Sequence, residues 1–189
     1  MFDVVIIGGG ISGLSAAIYT AYGKLSTMIL DTDSSQVLKV GSLRNFPGIL
    51  KTSGRELLDH MKQQAETFGA KFSVDEATKI TKAGEHYEIV GESGQTYSAK
   101  YVIIATNLKT NLLDDLGLKL VVNEKVPSGK IKRVVDVGFD GVTKHENLYI
   151  AGLLAGVSSQ SVIAAGQGAQ LGTDIVTKET GKTYIWHDV

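Results

Sequence analysis

The stretch FDVVIIGGGISGLSAAIYTAYG, residues 2–23, decides the fold. Phe2 to Ile7 is a short apolar run rich in Val and Ile that ends abruptly at Gly8-Gly9-Gly10, so it reads as a buried strand. Over residues 12–22, Leu14, Ala17, Ile18 and Ala21 recur at helical spacing, and Gly23 is a natural stop. Residues 26–31 form a second buried strand. The pattern predicts strand, glycine turn, helix and returning strand within about 30 residues, the start of an α/β fold with a parallel sheet.

Working outward, residues 32–50 are polar, contain Gly41, Pro47 and Gly48, and read as a long loop of the kind that often carries function. Ser53-Gly-Arg-Glu56 is a capping-box pattern opening a helix that runs to about Phe68. Residues 71–74, 79–82, 86–90 and 95–99, with a turn at 91–94, predict a small antiparallel meander. Residues 101–105 return to a buried parallel-type strand. Residues 108–146 carry the weakest pattern: Val126-Pro-Ser-Gly129 reads as a turn between two strand-like pieces, and 142–147 as a loop. Residues 148–151 form another strand, and a helix follows over 158–178. Its small residues Ala164, Ala165, Gly166, Gly168 and Ala169 would permit close packing on the sheet. No internal repeat is present.

Composition narrows the function. The 189 residues suit a single domain. Hydrophobic residues at 43% and charged residues at 21% are ordinary for a globular chain. A net charge of −1 leaves no basic excess for a phosphate backbone, which argues against a nucleic-acid partner. Twenty-two glycines against two prolines point to tight strand-to-helix turns and not to a disordered linker. Cysteine is absent, which excludes disulfides, thiolate metal sites, a Cys nucleophile and any dithiol relay on this chain. The first residues lack a basic region before the apolar run, and no apolar run approaches the ~18 residues of a membrane span, so a soluble cytoplasmic protein with no membrane partner is expected.

The glycine turn has a specific reading. Gly8-Gly9-Gly10-Ile11-Ser12-Gly13 satisfies G-x-G-x-x-G between a strand and a helix, the context of a dinucleotide fingerprint. Gly8 allows the tight turn, Gly10 lets the backbone approach a pyrophosphate, and Gly13 lets the helix press on the strand. The free N–H groups at the helix start, from Ile11 and Ser12 onward, then face phosphate oxygens. Asp31 follows Gly8 by 23 residues, close to the ~20 expected for the acid that accepts from the adenosine ribose, with Thr32 beside it. A carboxylate there favours a free 2′-hydroxyl, as in NAD or FAD, and the fingerprint alone does not choose between them.

Residues 1–112 and about 134–178 resemble the thioredoxin-reductase-like branch of the FAD-dependent pyridine nucleotide-disulfide oxidoreductases. Four motifs carry the likeness: the opening MFDVVIIGGGISGLSAAIY; Gln36 followed by Asn45-Phe-Pro-Gly48; Tyr101-Val-Ile-Ile-Ala105-Thr106; and Leu148-Tyr-Ile-Ala-Gly152 followed by Ser159-Gln160-Ser161-Val162 and Ala164-Ala-Gly166. The resemblance implies a Rossmann-like FAD-binding domain with a central parallel sheet, flanking helices and a small antiparallel meander. It implies that Gln36 and Asn45 lie by the flavin or ribityl chain, that Ala77 meets the adenine through its backbone, and that Gln160 sits near the isoalloxazine. The helix expected from Ser158 would aim its N-terminus, about half a positive charge, at the flavin. A homodimer and an external electron donor (NAD(P)H or a carrier protein) and acceptor are further implications.

Three departures shape these expectations. Residues 107–147 are too few for the second dinucleotide domain of the family, and their glycines do not make its pattern. The redox Cys pair is missing with every other cysteine, so dithiol exchange is excluded. The Ala-Gly-Asp of the family reads Ala151-Gly152-Leu153. Losing a hydrogen bond to that charged group costs ~1.5–3 kcal/mol, roughly 10- to 100-fold in FAD affinity. Ala105-Thr106-Asn107 in place of Ala-Thr-Gly is milder, because Asn tolerates positive φ. The leading expectation is an FAD-dependent oxidoreductase. A FAD-binding accessory subunit without turnover and a nucleotide-binding remnant are the alternatives.

The remaining residues carry weaker signals. His60, His86, His145 and His187 lack metal-ligand spacing; His60 and His86 read as surface residues, and His145 has no evident partner. Asp114-Asp115 reads as a turn start, and the basic run at 130–133 as a solvated hairpin. Within the tail 179–189, Tyr184, Trp186 and His187 would either cover the flavin face or form an edge strand or dimer contact.

Overall fold

The computed structural model describes residues 1–106 and 110–183. The opening unit forms as its sequence predicts. Strand β1 (Phe2–Ile7) leads through the glycine turn into α1 (Ile11–Tyr22) and parallel strand β2 (Thr27–Leu30), with Val4 opposite Thr27 and Ile7 opposite Leu30. Both strands are buried on both faces, and their side chains divide by period two. Val4, Ile6 and Ile29 enter one core beneath α1, whereas Val5, Ile7 and Leu30 enter another on the opposite face.

A short 3₁₀ turn, Gln36–Lys39, interrupts the polar loop. Helix α2 (Gly54–Thr67) starts at the expected capping box: Glu56 N donates to Ser53 Oγ at 3.2 Å, and Ser53 N donates to Glu56 Oε2 at 2.8 Å. The Ser53 N–H donated to the Glu56 carboxylate is the main cause holding that carboxyl below its usual pKa. Strand β3 (Lys71–Ser73) then pairs in parallel with β2. This corrects the expectation that it belongs to the meander.

The meander itself is β4 (Ala77–Ala83), β5 (His86–Gly91) and the first half of β6 (Thr96–Ile104). The predicted strands at 95–99 and 101–105 are thus one strand. Its first half pairs antiparallel with β5, and its second half runs parallel to β1 on one edge and to β9 (Leu148–Ile150) on the other. The sheet order is β3-β2-β1-β6-β5-β4, with β9 also on β6.

Between β6 and β9 lie α3 (Asn111–Asp115) and a hairpin of β7 (Leu120–Val122) and β8 (Lys132–Val134), the two strand-like pieces flanking the predicted turn. Asp114 and Asp115 close this helix, and Asp114 O accepts from Gly117 N at 2.9 Å, so the expected turn starts from the helix end. His145, expected without a partner, makes a 2.7 Å hydrogen bond between Nε2 and Leu116 O.

Helix α4 (Ser161–Thr180) starts three residues later than expected, after a 3₁₀ turn at Gly152–Ala155 and a left-handed Gly156. Of its small residues, Ala165 and Gly168 face α1 and not the sheet, whereas Gly166 is exposed. A Cβ on Gly168 would collide with Ser12 O, and Ser15 Oγ donates to Ala165 O at 2.7 Å. At the other end Lys100 Nζ and Tyr101 OH donate to Glu179 Oε2 at 2.7 and 2.9 Å, fastening α4 to β6. Among the described residues no helix is long and apolar enough to cross a membrane.

Candidate functional site

The glycine turn is shaped by three different crowding conditions. Gly8 has φ +110°, and a Cβ there would lie 2.7 Å from Ala105 O. A Cβ on Gly13 would collide with Gly8 O, so this glycine seats α1 on the turn. Gly10 differs: a Cβ there would find only Ser35 Oγ, at 3.4 Å. The space beside Gly10 is therefore open to a ligand. Gly9, whose role the fingerprint left unassigned, donates from N to Asp31 Oδ1 at 3.2 Å, and any Cβ on it would collide with that carboxylate. The α1 N-terminus follows directly, with no side-chain cap among the described residues and no acid in its first turn. Its leading N–H groups are available to an anion.

Two cavities meet over this turn. The first, about 270 Å³, is lined by Gly8, Gly9 and Gly10, by Asp31, Thr32, Ser34, Ser35 and Gln36, and at its far end by Asp75, Glu76, Ala77, Ala105 and Thr106. The second, about 240 Å³, runs from Gly10, Ile11, Ser12, Gln36 and Ala105 to Gly152, Leu153, Ser158, Ser159 and Ser161. Gly10, Ser35, Gln36 and Ala105 belong to both, so the two make one trough across the start of α1.

Most sequence-predicted site residues line this trough. Gly13 lines neither part, and its role is packing. Asn45 and Gln160 also line neither cavity, but Asn45 Nδ2 donates to Gln160 Oε1 at 2.9 Å, joining the 32–50 loop to the residue before α4. Asn107 and the aromatic tail residues Tyr184, Trp186 and His187 lie outside the described residues. The N-terminus expected to face the ring end belongs to Ser161, with no side-chain cap among the described residues.

Asp75 is the site residue the sequence concealed. It is the single charged side chain among the buried described residues. Its carboxylate accepts from Ser93 N at 3.1 Å, Ser93 Oγ at 2.6 Å and Tyr97 OH at 3.0 Å. A Cβ on Gly91 would collide with it. The Asp75 carboxyl is thereby held below its usual pKa, chiefly by the Ser93 hydroxyl. A folded-state pKa below the unfolded value of about 3.9 adds stability above that value, lost as pH falls through the folded pKa. Asp75→Asn should lower the melting temperature at pH 7 and flatten the acid limb of a melting-temperature-against-pH curve. An acid limb identical to that of the parent protein would remove Asp75 from it.

The opposite end is built around Gly152. Its N donates to Oε1 of fully buried Gln167 at 2.7 Å, and Gln167 Nε2 is buried without a partner among the described residues. Asn123, 1% exposed, donates from Nδ2 to Leu153 O at 3.0 Å and so ties the β7–β8 segment to the turn. Leu153 is 8% exposed and gives the trough an apolar wall at this end.

Comparison with known proteins bears on the family and the fold. The family model for pyridine nucleotide-disulphide oxidoreductases matches residues 3–169. The thioredoxin reductase of Treponema pallidum is 39% identical over 108 residues, covering 56% of this chain and 35% of the relative. That of Streptomyces coelicolor is 34% identical over 132 residues, covering 68% and 39%. The chain thus spans little more than a third of the length of the curated relatives it matches. The crystal structure of the Streptococcus pyogenes thioredoxin reductase superposes with a TM-score of 0.55 at 34% identity, covering 58% of this chain and 36% of that one. The thioredoxin reductase structure from Gloeobacter violaceus shares the fold, with a TM-score of 0.78 at 17% identity over 100% of this chain and 98% of that one. With strand, glycine turn, acid and closing helix in place, and a family match across most of its length, the chain belongs to the pyridine nucleotide-disulphide oxidoreductase family.

Proposed function

We propose that this chain binds FAD non-covalently along the trough and passes electrons between an external donor, NAD(P)H or a carrier protein, and a separate acceptor. The observation that carries the reading is the continuity of the trough, from the Asp31 and Ala77 end across Gly10 to Gly152 and Ser161. Its groups suit such an occupant in order. Asp31, held by Gly9 N, accepts from ribose hydroxyls. The Ala77 backbone borders the adenine end. Main-chain N–H groups of Ile11 and Ser12 face the diphosphate. The start of α4 favours negative charge at the ring end. A bound flavin supplies the electron- and hydride-accepting chemistry, and the protein supplies orientation and field. With no cysteine, the chain itself performs no dithiol exchange.

An absorption spectrum with added FAD tests this. The expected result is a flavin band that bleaches with NADH, NADPH or a reduced carrier protein. A protein that cannot be reconstituted with FAD would sink the reading.

A second reading, a FAD-binding accessory subunit without turnover, is favoured by one observation: apolar Leu153 stands where the family motif has an acid. A flavin band that resists every donor supports it. Leu153→Asp restores an acceptor at this wall. We expect FAD to bind about tenfold more tightly, and the flavin-free protein to melt lower because a buried charge then lacks a partner. Unchanged affinity in a titration would remove Leu153 from the account of FAD binding.

We further propose a cytoplasmic homodimer. Gly168 is already committed to α1, so a dimer surface on α4 would use Val162, which is 37% exposed. A monomeric mass by light scattering would overturn the dimer.

A further inference from the structure

Beside the trough a third cavity of about 390 Å³ opens, and Ser158 stands in the wall of both. Its surfaces are of two kinds. Phe139 and Ile163 line it although they are 49% and 38% exposed, with Val137 and Val157 buried behind them. Arg133 and Lys125 supply positive charge, and Glu124 is the acid in the wall.

The Arg133 position is built. A Cβ on Gly156 would come within 2.9 Å of Arg133 Cδ, so the bare glycine, with φ +72°, leaves room for the arginine stem across the turn. Asn123 braces the floor: its Nδ2 donates to Leu153 O at 3.0 Å and Val157 O at 3.4 Å, and its Oδ1 accepts from Lys125 N at 3.1 Å. The floor carbonyls accept from Asn123, and among the described residues no hydrogen bond joins them to the guanidinium. Half-buried Arg133 makes no ion pair among the described residues, Glu124 included. Its hydrogen bond is a long one, from Nη1 to Val134 O at 3.5 Å. This corrects the expectation that the whole 130–133 run is solvated hairpin. A guanidinium fork without an ion-pair partner beside apolar walls matches a carboxylate bidentately. The volume falls in the range of small-molecule sites.

We propose that this cavity binds a small organic carboxylate with a flat apolar body, the carboxylate on Arg133 and the body against Phe139 and Ile163. The site is separate from the trough, and a ligand in it would rest against the same Gly156 to Ser158 turn that walls the ring end.

The test is calorimetric titration of the full chain with phenylacetate and, in parallel, with inorganic phosphate, with and without FAD. Phenylacetate should bind saturably. Arg133→Gln should weaken it at least tenfold and Phe139→Ala severalfold, each with the melting temperature kept. Phosphate should bind more weakly than phenylacetate and be insensitive to Phe139→Ala. Absence of saturable phenylacetate binding, affinity unmoved by Arg133→Gln, or Arg133-dependent phosphate binding as tight as that of phenylacetate would each overturn the proposal. Because Arg133 and Phe139 line this cavity and neither half of the trough, the effect of their substitution on phenylacetate binding reads this site with or without FAD, and a failure of the flavin reading leaves it unchanged.

Discussion

Gly10→Leu is expected to abolish binding of both FAD and ADP while the fold stands. The backbone at Gly10 has φ −78°, open to any residue, and the first side-chain carbon would meet only Ser35 Oγ at 3.4 Å. The rest of a leucine must extend into the junction shared by the two halves of the trough. That is where a diphosphate would cross the start of α1. Replacing a glycine at the N-cap position with leucine costs about 1 kcal/mol of helix stability, too little to unfold the chain. Blocking the diphosphate seat should cost about 4 kcal/mol or more, roughly a thousandfold in affinity. Calorimetry with ADP and FAD, paired with a thermal melt, reads the two effects separately. Binding at parental affinity would show that the trough is not the nucleotide site.

Gly168→Ala is expected to act in the opposite way, on stability first. A Cβ there would collide with Ser12 O and lie 2.9 Å from Ser15 Cβ, and one turn on, a Cβ on Gly172 would lie 2.7 Å from Tyr19 Cβ. Neither contact is the end of a flexible side chain, so the helices themselves must separate. Overpacking of this kind costs about 2–3 kcal/mol, or roughly 5–10 °C in melting temperature for a chain of this size. Gly166, two residues earlier on α4, has nothing within 4 Å of its would-be Cβ. Gly166→Ala should therefore be neutral or stabilise by about 0.5–1 kcal/mol through helix propensity. Equal melting temperatures for the two variants would refute close packing of α1 on α4.

The parts of the fold legible in the sequence are those where local chemistry and burial agree. The apolar run, the glycine turn, Asp31 and the capping box at Ser53 all declare themselves within a few residues. β6 reads as two strands in the sequence because its pattern changes partway: Tyr97, Ala99 and Tyr101 alternate with less buried residues, and from Tyr101 onward every position is buried. That change marks where β5 gives way to β9 as the neighbour, not a break in the chain. The pairing of β3 is not legible, because three residues hold too little pattern to reveal whether a strand pairs in parallel or antiparallel. The α4 small residues signalled close packing but not with which partner. At the site, Asp75 and Gly9 were hidden because their partners, Ser93 and Tyr97 in one case and Asp31 in the other, lie many residues away. The Asn45 to Gln160 pair spans 115 residues, and family likeness named both members without joining them.

The double neighbour of β6 has a consequence for how such a chain can be remodelled. Because β9 runs alongside the second half of β6 in parallel, from Val102 opposite Leu148 to Ile104 opposite Ile150, the backbone departs from one end of a three-residue ladder and returns at the other. Those points are roughly 10 Å apart at strand rise. Provided the core residues Leu112, Leu113 and Val134 keep their places, the polypeptide spliced between them can grow with only a logarithmic penalty in closure entropy, and the ladder is left intact. This edge is thus a natural graft point, where a whole folded module could be exchanged for a short hairpin while the rest of the architecture keeps its register.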